Sequence, residues 1–245
     1  MAESKRQVIE DRYFLPDGYR ENRINITIDK DNSFYWDPER ARRASLHQFA
    51  VYQWAAQLIR AGSINIIADV GCGFATKLAW LHDQFPMLEY WGIDQPHAVE
   101  LCKQHYNFGQ WLGVDFENSP ALPLTRADLV ISSDVIEHLE CPDVLLDYYK
   151  RVAAPSGLIL ISTPERDILR GRQCLYSPNP YHVREWNRAE LSAYLRSRGF
   201  EIIEHKVLPA LRFDFGSFYL RKFLGRWMQG RSMRYNQAVL MRWTG

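Results

Sequence analysis

Only four of the 245 residues are cysteines, Cys72, Cys102, Cys141 and Cys174, and no two form a C-x-x-C pair. That excludes a dense disulfide framework and suits reduced thiols in a cytosol. An excess of charge is missing too, since 30 Lys and Arg stand against 29 acids for a net +1. Bulk electrostatics therefore recommend neither nucleic acid nor an anionic membrane as partner. No stretch approaches the roughly 18–20 apolar residues that span a bilayer, and the opening MAESKRQVIEDRYF lacks the apolar core of a signal peptide. A soluble, cytoplasmic protein with no transmembrane segment is expected. Internal repeats and low-complexity tracts are also absent.

What is present is apolar residues, 47% of the chain, enough for one moderately large domain. Residues 1–38 are polar and aromatic, with turn signals in FLPDGY and FYWDP, and read as an arm or cover. Leu46, Phe49, Ala50, Trp54, Leu58 and Ile59 recur at helical spacing before Gly62, which predicts a helix over 39–60. Five short apolar runs follow, at 64–70, 88–94, 109–115, 127–133 and 157–163, most of them separated by helix-length stretches. Continuous rather than alternating apolar strands indicate a mostly parallel sheet covered on both faces, a doubly wound α/β domain over 39–245. Later, NRAELSAYLRSRGF reads as a helix ended by Gly199, and EIIEHKVL and YNQAVLMRW as two final strands. Segments 165–186 and 210–234 read as insertions beside the site.

The stretch IIADVGCGFATKLAWL sets Gly71 and Gly73 at a strand-to-helix turn, where backbone can approach a ligand and helix N-terminal amides can face it. The full dinucleotide fingerprint would need glycine at position 76, where Thr76 stands, and the P-loop lysine pattern is absent. A nicotinamide oxidoreductase is thereby the weakest alternative. Three acids strengthen the glycine signal: Asp69 before the loop, Asp94 closing the second strand run and Asp115 closing the third. The carboxyl ends of parallel strands line a ligand crevice, so Asp94 suits two ribose hydroxyls and Asp115 an exocyclic base amine. An acid that merely caps a following helix explains one such residue better than three.

DVGCGFAT, the acid of YWGID, VDFENSPALP, ADLVISSDVIEHL and PSGLILISTP, in this order and spacing, resemble the class I S-adenosylmethionine-dependent methyltransferases. The similarity covers about residues 40–165 well and is nearest to ubiquinone-biosynthesis-type and sugar or small-metabolite O-methyltransferases. It implies a Rossmann-like seven-stranded sheet with the last strand antiparallel, and S-adenosylmethionine as methyl donor. It further implies that Gly71 and Gly73 pass under the methionine part, that Asp94 holds the ribose, and that Asp115 with the Phe116 backbone binds adenine. The backbone at Ser132 and Ser133 would face the methionine amino group. Ala75 departs mildly from relatives with a third glycine there.

DVIEHL begins at the carboxyl end of the ADLVISS run, where such a domain builds its site. His138 suits proton abstraction from an acceptor hydroxyl, with an unperturbed imidazole pKa near ~6.5, and His182 of NPYHVREW is its candidate partner. Both are also compatible with loop or structural roles. Asp134, Glu137, His138 and His182 form a grouping that resembles the metal set of small-RNA 2'-O-methyltransferases, but a magnesium site is not favoured and no metal is assigned. Arg184 and Glu185 are candidates to line an acceptor pocket, while Trp186 suits a core and Asn187 a helix N-cap. Tyr35, Trp36, Arg40, Arg42 and Arg43 lie where the family folds a segment over the cofactor. Tyr219, Phe223 and Trp227 recur at i+4 in a basic segment over 213–234; packing of this stripe on the sheet is the commonest arrangement, beside a lid, a dimer face, or a membrane-surface or nucleic-acid patch. The expected function is methyl transfer to a hydroxyl of a small molecule or carbohydrate intermediate, with a homodimer allowed and nucleic acid not expected. A metal-assisted RNA 2'-O-methyltransferase and a catalytically silent cofactor-binding protein are the alternatives.

Overall fold

The computed structural model describes residues 13–22, 46–118, 120–212 and 217–245, without the side chains of 217–219. Tyr35, Trp36, Arg40, Arg42 and Arg43 lie outside the described residues, as does the side chain of Tyr219. Seven strands form one sheet: β1 (Ile66–Val70), β2 (Glu89–Asp94), β3 (Gln110–Gly113), β4 (Ala127–Ser133), β5 (Ala153–Pro164), β6 (Phe200–Pro209) and β7 (Arg234–Trp243). Their order is β3-β2-β1-β4-β5-β7-β6. The first five run parallel, and β7 lies antiparallel between β5 and β6. The chain winds one way from β1 to β3 and then restarts at β4 on the other side of β1. That reversal opens a crevice at the carboxyl ends of β1 and β4.

The continuous apolar runs feed two cores at once. Along β4, Val130 enters one cluster while Leu129 and Ile131 enter the other, and along β5 Ile159 and Ile161 oppose Leu160 in the same way. One face is covered by α4 (Pro142–Val152) and α6 (Arg188–Ser197) through Leu145, Tyr149, Leu191 and Tyr194. The other is covered by α1 (Phe49–Ala61), α2 (Thr76–Gln84) and α3 (Pro96–His105) through Tyr52, Leu78 and Cys102. A fully buried apolar side chain stabilises by about 1.5–3 kcal/mol, so both faces oppose a slip in strand register.

Several local expectations change. The helix expected over 39–60 is described only from Phe49, because Gln48 adopts a left-handed φ of 53°. Tertiary ties hold that turn: Gln48 N–H donates to Ala210 O at 2.9 Å, and its side chain donates to Asp134 at 2.6 Å. The third strand stops at Gly113, two residues short of Asp115, while the fifth starts four residues early, at Ala153. Asn187 caps α6 in a reciprocal box with Glu190, and Trp186 is fully buried and stacked on Tyr194. A short α5 (Arg166–Leu169) follows β5, and α7 (Ser217–Met228) links β6 to β7. Of the aromatic stripe of α7, Phe223 is 41% and Trp227 68% exposed, so Trp227 does not pack on the sheet. Among the described residues no helix is long and apolar enough to cross a membrane.

Candidate active site

The glycine loop is built against β2. Gly71 and Gly73 hold φ of 83° and 54°, and Ala75 accepts 52° just before α2, so the chain turns sharply out of β1. The amides of Gly71 and Cys72 donate to Ile93 O at 2.7 and 3.2 Å, and that of Gly73 donates to Asp94 Oδ2 at 2.7 Å. These amides thus anchor the loop to β2, ahead of the α2 N-terminus at Thr76. A Cβ on Gly71 would come within 2.2 Å of Val135 Cγ2, in addition to its left-handed backbone. The glycine therefore serves a close approach between the loop after β1 and the loop after β4.

Asp94 is half-buried at the end of β2, and its second oxygen accepts from Gln95 N at 2.7 Å. Burial raises its pKa, opposed by the Gly73 and Gln95 amides. Each carboxylate oxygen retains a lone pair beyond these bonds, so a diol can be added without displacing the amides. Asp69 lies deeper, with no exposure, and both of its oxygens accept from the Tyr52 hydroxyl at 3.0 and 2.8 Å. Desolvation pushes its pKa to about 7 against the Tyr52 bond and the nearby Lys77 charge. Asp115 is exposed on the loop after β3 and accepts from Glu117 N and Asn118 Nδ2, while Phe116 is buried edge-on to Tyr148. Ser132 and Ser133 are buried at the end of β4. Ser132 Oγ accepts from Tyr149, and Ser133 Oγ bonds Ser162 Oγ at 2.8 Å.

The pKa of Asp69 carries a stability prediction. Its folded value lies above the ordinary carboxylate value, so the folded state holds the proton longer than the unfolded chain. Stability from this group is present below about pH 4 and lost as pH rises through about 7, with an upper magnitude on the order of 4 kcal/mol. Asp69→Asn removes the titration. Urea unfolding at pH 5 and pH 8 should show the variant gaining on the wild type as pH rises, and a pH-independent gap would contradict the assignment.

DVIEHL folds into a tight turn rather than an open loop. Asp134 takes a left-handed φ of 55°, donates its N–H to Ser162 O, and accepts from Ser162 Oγ at 2.8 Å and Gln48 Nε2 at 2.6 Å. A 3-10 turn over Ile136–His138 follows. Glu137 is fully buried; one oxygen accepts from Thr163 Oγ1 at 3.0 Å and the other has no partner. Desolvation, aided by Asp134, holds its pKa well above the ordinary value.

The segment around His182 zips onto this turn. Val183 N–H donates to Glu137 O at 2.8 Å, and His138 Nδ1 lies 2.7 Å from Tyr181 O. The two imidazoles, 44 positions apart in sequence, meet with ring centroids 4.9 Å apart and planes at 88°. His182 Nδ1 lies 2.7 Å from Glu185 Oε1, and Glu185 also accepts from Arg170 and Ser177. Arg170 and His182 outweigh the desolvation of Glu185 and hold its pKa down at about 2. A carbonyl oxygen and an ionised carboxylate only accept, so both rings carry the proton on Nδ1 and a lone pair on Nε2 when neutral.

Arg184 and Glu185, candidates for the pocket wall, are instead almost fully buried beneath it. Arg184 donates to Leu139 O and Glu140 O and pairs with Glu21, and Glu185 orients His182. The described part of the arm, residues 13–22, clasps the same segment: Asn22 Nδ2 donates to the carbonyls of Ser177, Asn179 and His182. Gln48, Ser162 and Thr163 were missed by sequence reasoning. Ser162 and Thr163 lie at the end of the PSGLILISTP stretch and reach the site through the pairing of β4 with β5, and Gln48 reaches it through the start of α1.

Among the described residues, Glu137, His138 and His182 each offer a ligand atom within 4.8 Å of the others, and Asp134 is not in that group. Two imidazoles and one carboxylate suit a transition metal better than magnesium, which prefers oxygen donors.

Residues 44–205 match the family model described as a methyltransferase domain. A 143-residue stretch is 36% identical to a probable S-adenosylmethionine-dependent methyltransferase of Mycobacterium tuberculosis, covering 55% of this chain and 48% of that protein. A 169-residue stretch is 25% identical to the mitochondrial ubiquinone biosynthesis O-methyltransferase of Dictyostelium discoideum, covering 59% and 52%. The chain thus spans about half the length of these curated relatives. Among solved structures, the plantazolicin methyltransferase BpumL in complex with SAH is similar with a TM-score of 0.57 at 17% identity, over 99% of each chain. The [4+2]-cyclase SpnF is similar with a TM-score of 0.58 at 16% identity, over 80% of this chain and 81% of that one. Identities this low speak to the fold alone. From the matched model and the doubly wound sheet together, the chain belongs to the methyltransferase-domain family, among the class I S-adenosylmethionine-dependent methyltransferases.

Proposed function

We propose that the chain transfers a methyl group from S-adenosylmethionine to a hydroxyl of a small molecule or carbohydrate intermediate. One observation carries the reading: the imidazole pair and the glycine loop meet at one end of the sheet, joined through the Gly71–Val135 contact. When bound, S-adenosylmethionine supplies an activated methyl on a sulfonium, which leaves the protein to align an acceptor and exclude water.

In this reading the Asp94 carboxylate, preset by two amides, accepts the ribose hydroxyls. Gly71 and Gly73 leave room beneath the methionine part, with Asp69 at the end of β1 just before them, held by the Tyr52 hydroxyl. Asp115 and the backbone of Phe116 take the adenine, and the ends of β4 at Ser132 and Ser133 take the amino group. His182 Nε2 accepts the proton of the acceptor hydroxyl, Glu185 stabilises the resulting imidazolium, and His138 orients the hydroxyl beside it. Segments 165–186 and 210–234 frame the acceptor. Incubation with labelled cofactor and a panel of hydroxyl, amine and carbohydrate acceptors tests this. Transfer to a hydroxyl supports it, transfer to amines alone refutes the acceptor class, and cofactor binding without any transfer favours a silent binding protein.

A second reading, metal-assisted transfer of the kind used on RNA 2'-hydroxyls, draws on the unpartnered Glu137 oxygen beside the two imidazoles. Glu137, His138 and His182 would hold a divalent transition ion, which lowers the pKa of a bound hydroxyl. Titration calorimetry with Mn²⁺ or Zn²⁺ should then detect one site that is lost in His138→Ala. Absence of binding, or turnover unchanged by chelators, removes this reading.

A further inference from the structure

The helix α7 presents its apolar side outward. At 3.6 residues per turn, Leu220, Leu224, Trp227 and Met228 fall on one arc of Ser217–Met228. They are 43%, 50%, 68% and 74% exposed, respectively. The opposite side turns to the protein: the Arg226 guanidinium lies 4.3 Å over the Tyr235 ring, and its Nε donates to Ser232 O at 2.6 Å. A helix docked on its own domain normally buries the apolar arc and leaves cations in water. Here the apolar arc is left in water while Arg226 turns to the protein.

Charge along the chain is segregated around this helix. Residues 215–245 hold six Lys and Arg and no acid, so the other 24 cations face all 29 acids. The near-neutral total therefore conceals a cationic end and an anionic remainder. Arg221 flanks the apolar arc on the exposed side, and Arg231 follows the helix in an exposed turn.

We propose that α7 is an interfacial helix that docks the protein on an anionic lipid surface. Leu220, Leu224 and Met228 would enter the boundary between headgroups and acyl chains, Trp227 would sit at headgroup depth, and Arg221 and Arg231 would meet lipid phosphates. A second copy of this chain fits the surface poorly, because a two-fold contact would bring two acid-free cationic segments together. Nucleic acid fits the cations but leaves the Leu and Met side chains in water. The helix leaves the sheet at the edge that carries the candidate site: β7 begins beside the end of β5, with Asn236 opposite Pro164. Docking would thus set that edge against the bilayer.

Co-sedimentation with phosphatidylcholine vesicles, with and without about 30 mol % phosphatidylglycerol, tests the proposal. The full chain should bind the anionic vesicles at least about tenfold more tightly than the neutral ones, and less tightly as salt rises. Leu224→Glu/Trp227→Glu should lower that affinity by about tenfold or more, with the unfolding midpoint retained because both residues are exposed. Arg221→Gln/Arg231→Gln, which leaves the apolar arc intact, should weaken anionic binding severalfold and flatten the salt dependence. Three results would each overturn the proposal. One is no binding at millimolar lipid, another is binding unaffected by the Leu224/Trp227 pair, and the third is a wild-type dimer that those substitutions dissolve.

Discussion

Asp94→Ala should lower the affinity for S-adenosylmethionine by about 100- to 1,000-fold while leaving the fold in place. The estimate assumes two hydroxyl bonds to a carboxylate at about 1.5–2 kcal/mol each, with tenfold per 1.4 kcal/mol. Asp94 is preset by the Gly73 and Gln95 amides, so little ordering is needed on binding. The same two bonds make the alanine variant ambiguous, since it also frees the glycine loop. Asp94→Asn separates the effects: its carboxamide oxygen can keep one amide bond, but its NH₂ group cannot accept from a ribose hydroxyl. Calorimetry should place Asp94→Asn between the wild type and the alanine variant, and equal affinity in all three would remove Asp94 from the cofactor site.

His182→Ala should reduce kcat by about 100- to 10,000-fold, the usual contribution of a positioned base, with cofactor affinity nearly unchanged. Glu185→Gln supplies the test that a merely structural role would not pass. The neutral amide removes the charge that favours imidazolium while keeping a group of similar shape. Loss of that countercharge should lower kcat while leaving cofactor affinity and the acceptor KM nearly unchanged. Arg170 then loses its ion pair as well, so the unfolding midpoint must be measured beside kcat. A fall in cofactor affinity and unfolding midpoint that tracks the fall in kcat would assign Glu185 to support of the segment rather than to the imidazole.

Much of this architecture was legible because parallel strands buried on both faces must read as unbroken apolar runs. The ADLVISS and GLILIST stretches, as β4 and β5, illustrate that rule. The glycine loop and Asp94 were legible for a related reason, as both sit at fixed offsets from strand ends. What could not be read was how polar atoms pair across the sequence. Glu185 looked like a residue facing an acceptor, yet three donors draw it inward beneath His182. The break in helix at residues 46–48 was not legible, because Gln48 is recruited by Asp134, a partner 86 residues away. The α7 stripe fails in the opposite direction. Periodicity marks an amphipathic helix but gives no sign of which side meets the protein, and here Arg226 rather than Trp227 does.

The central claim is that the ends of β1, β2 and β4 form one cofactor site beside the imidazole pair. A crystal structure of the complex with the demethylated cofactor tests it most directly. Both ribose hydroxyls are expected within ~3.2 Å of the Asp94 carboxylate, with the sulfur turned toward His138 and His182. A cofactor bound elsewhere, or one whose sulfur faces away from both histidines, would contradict it.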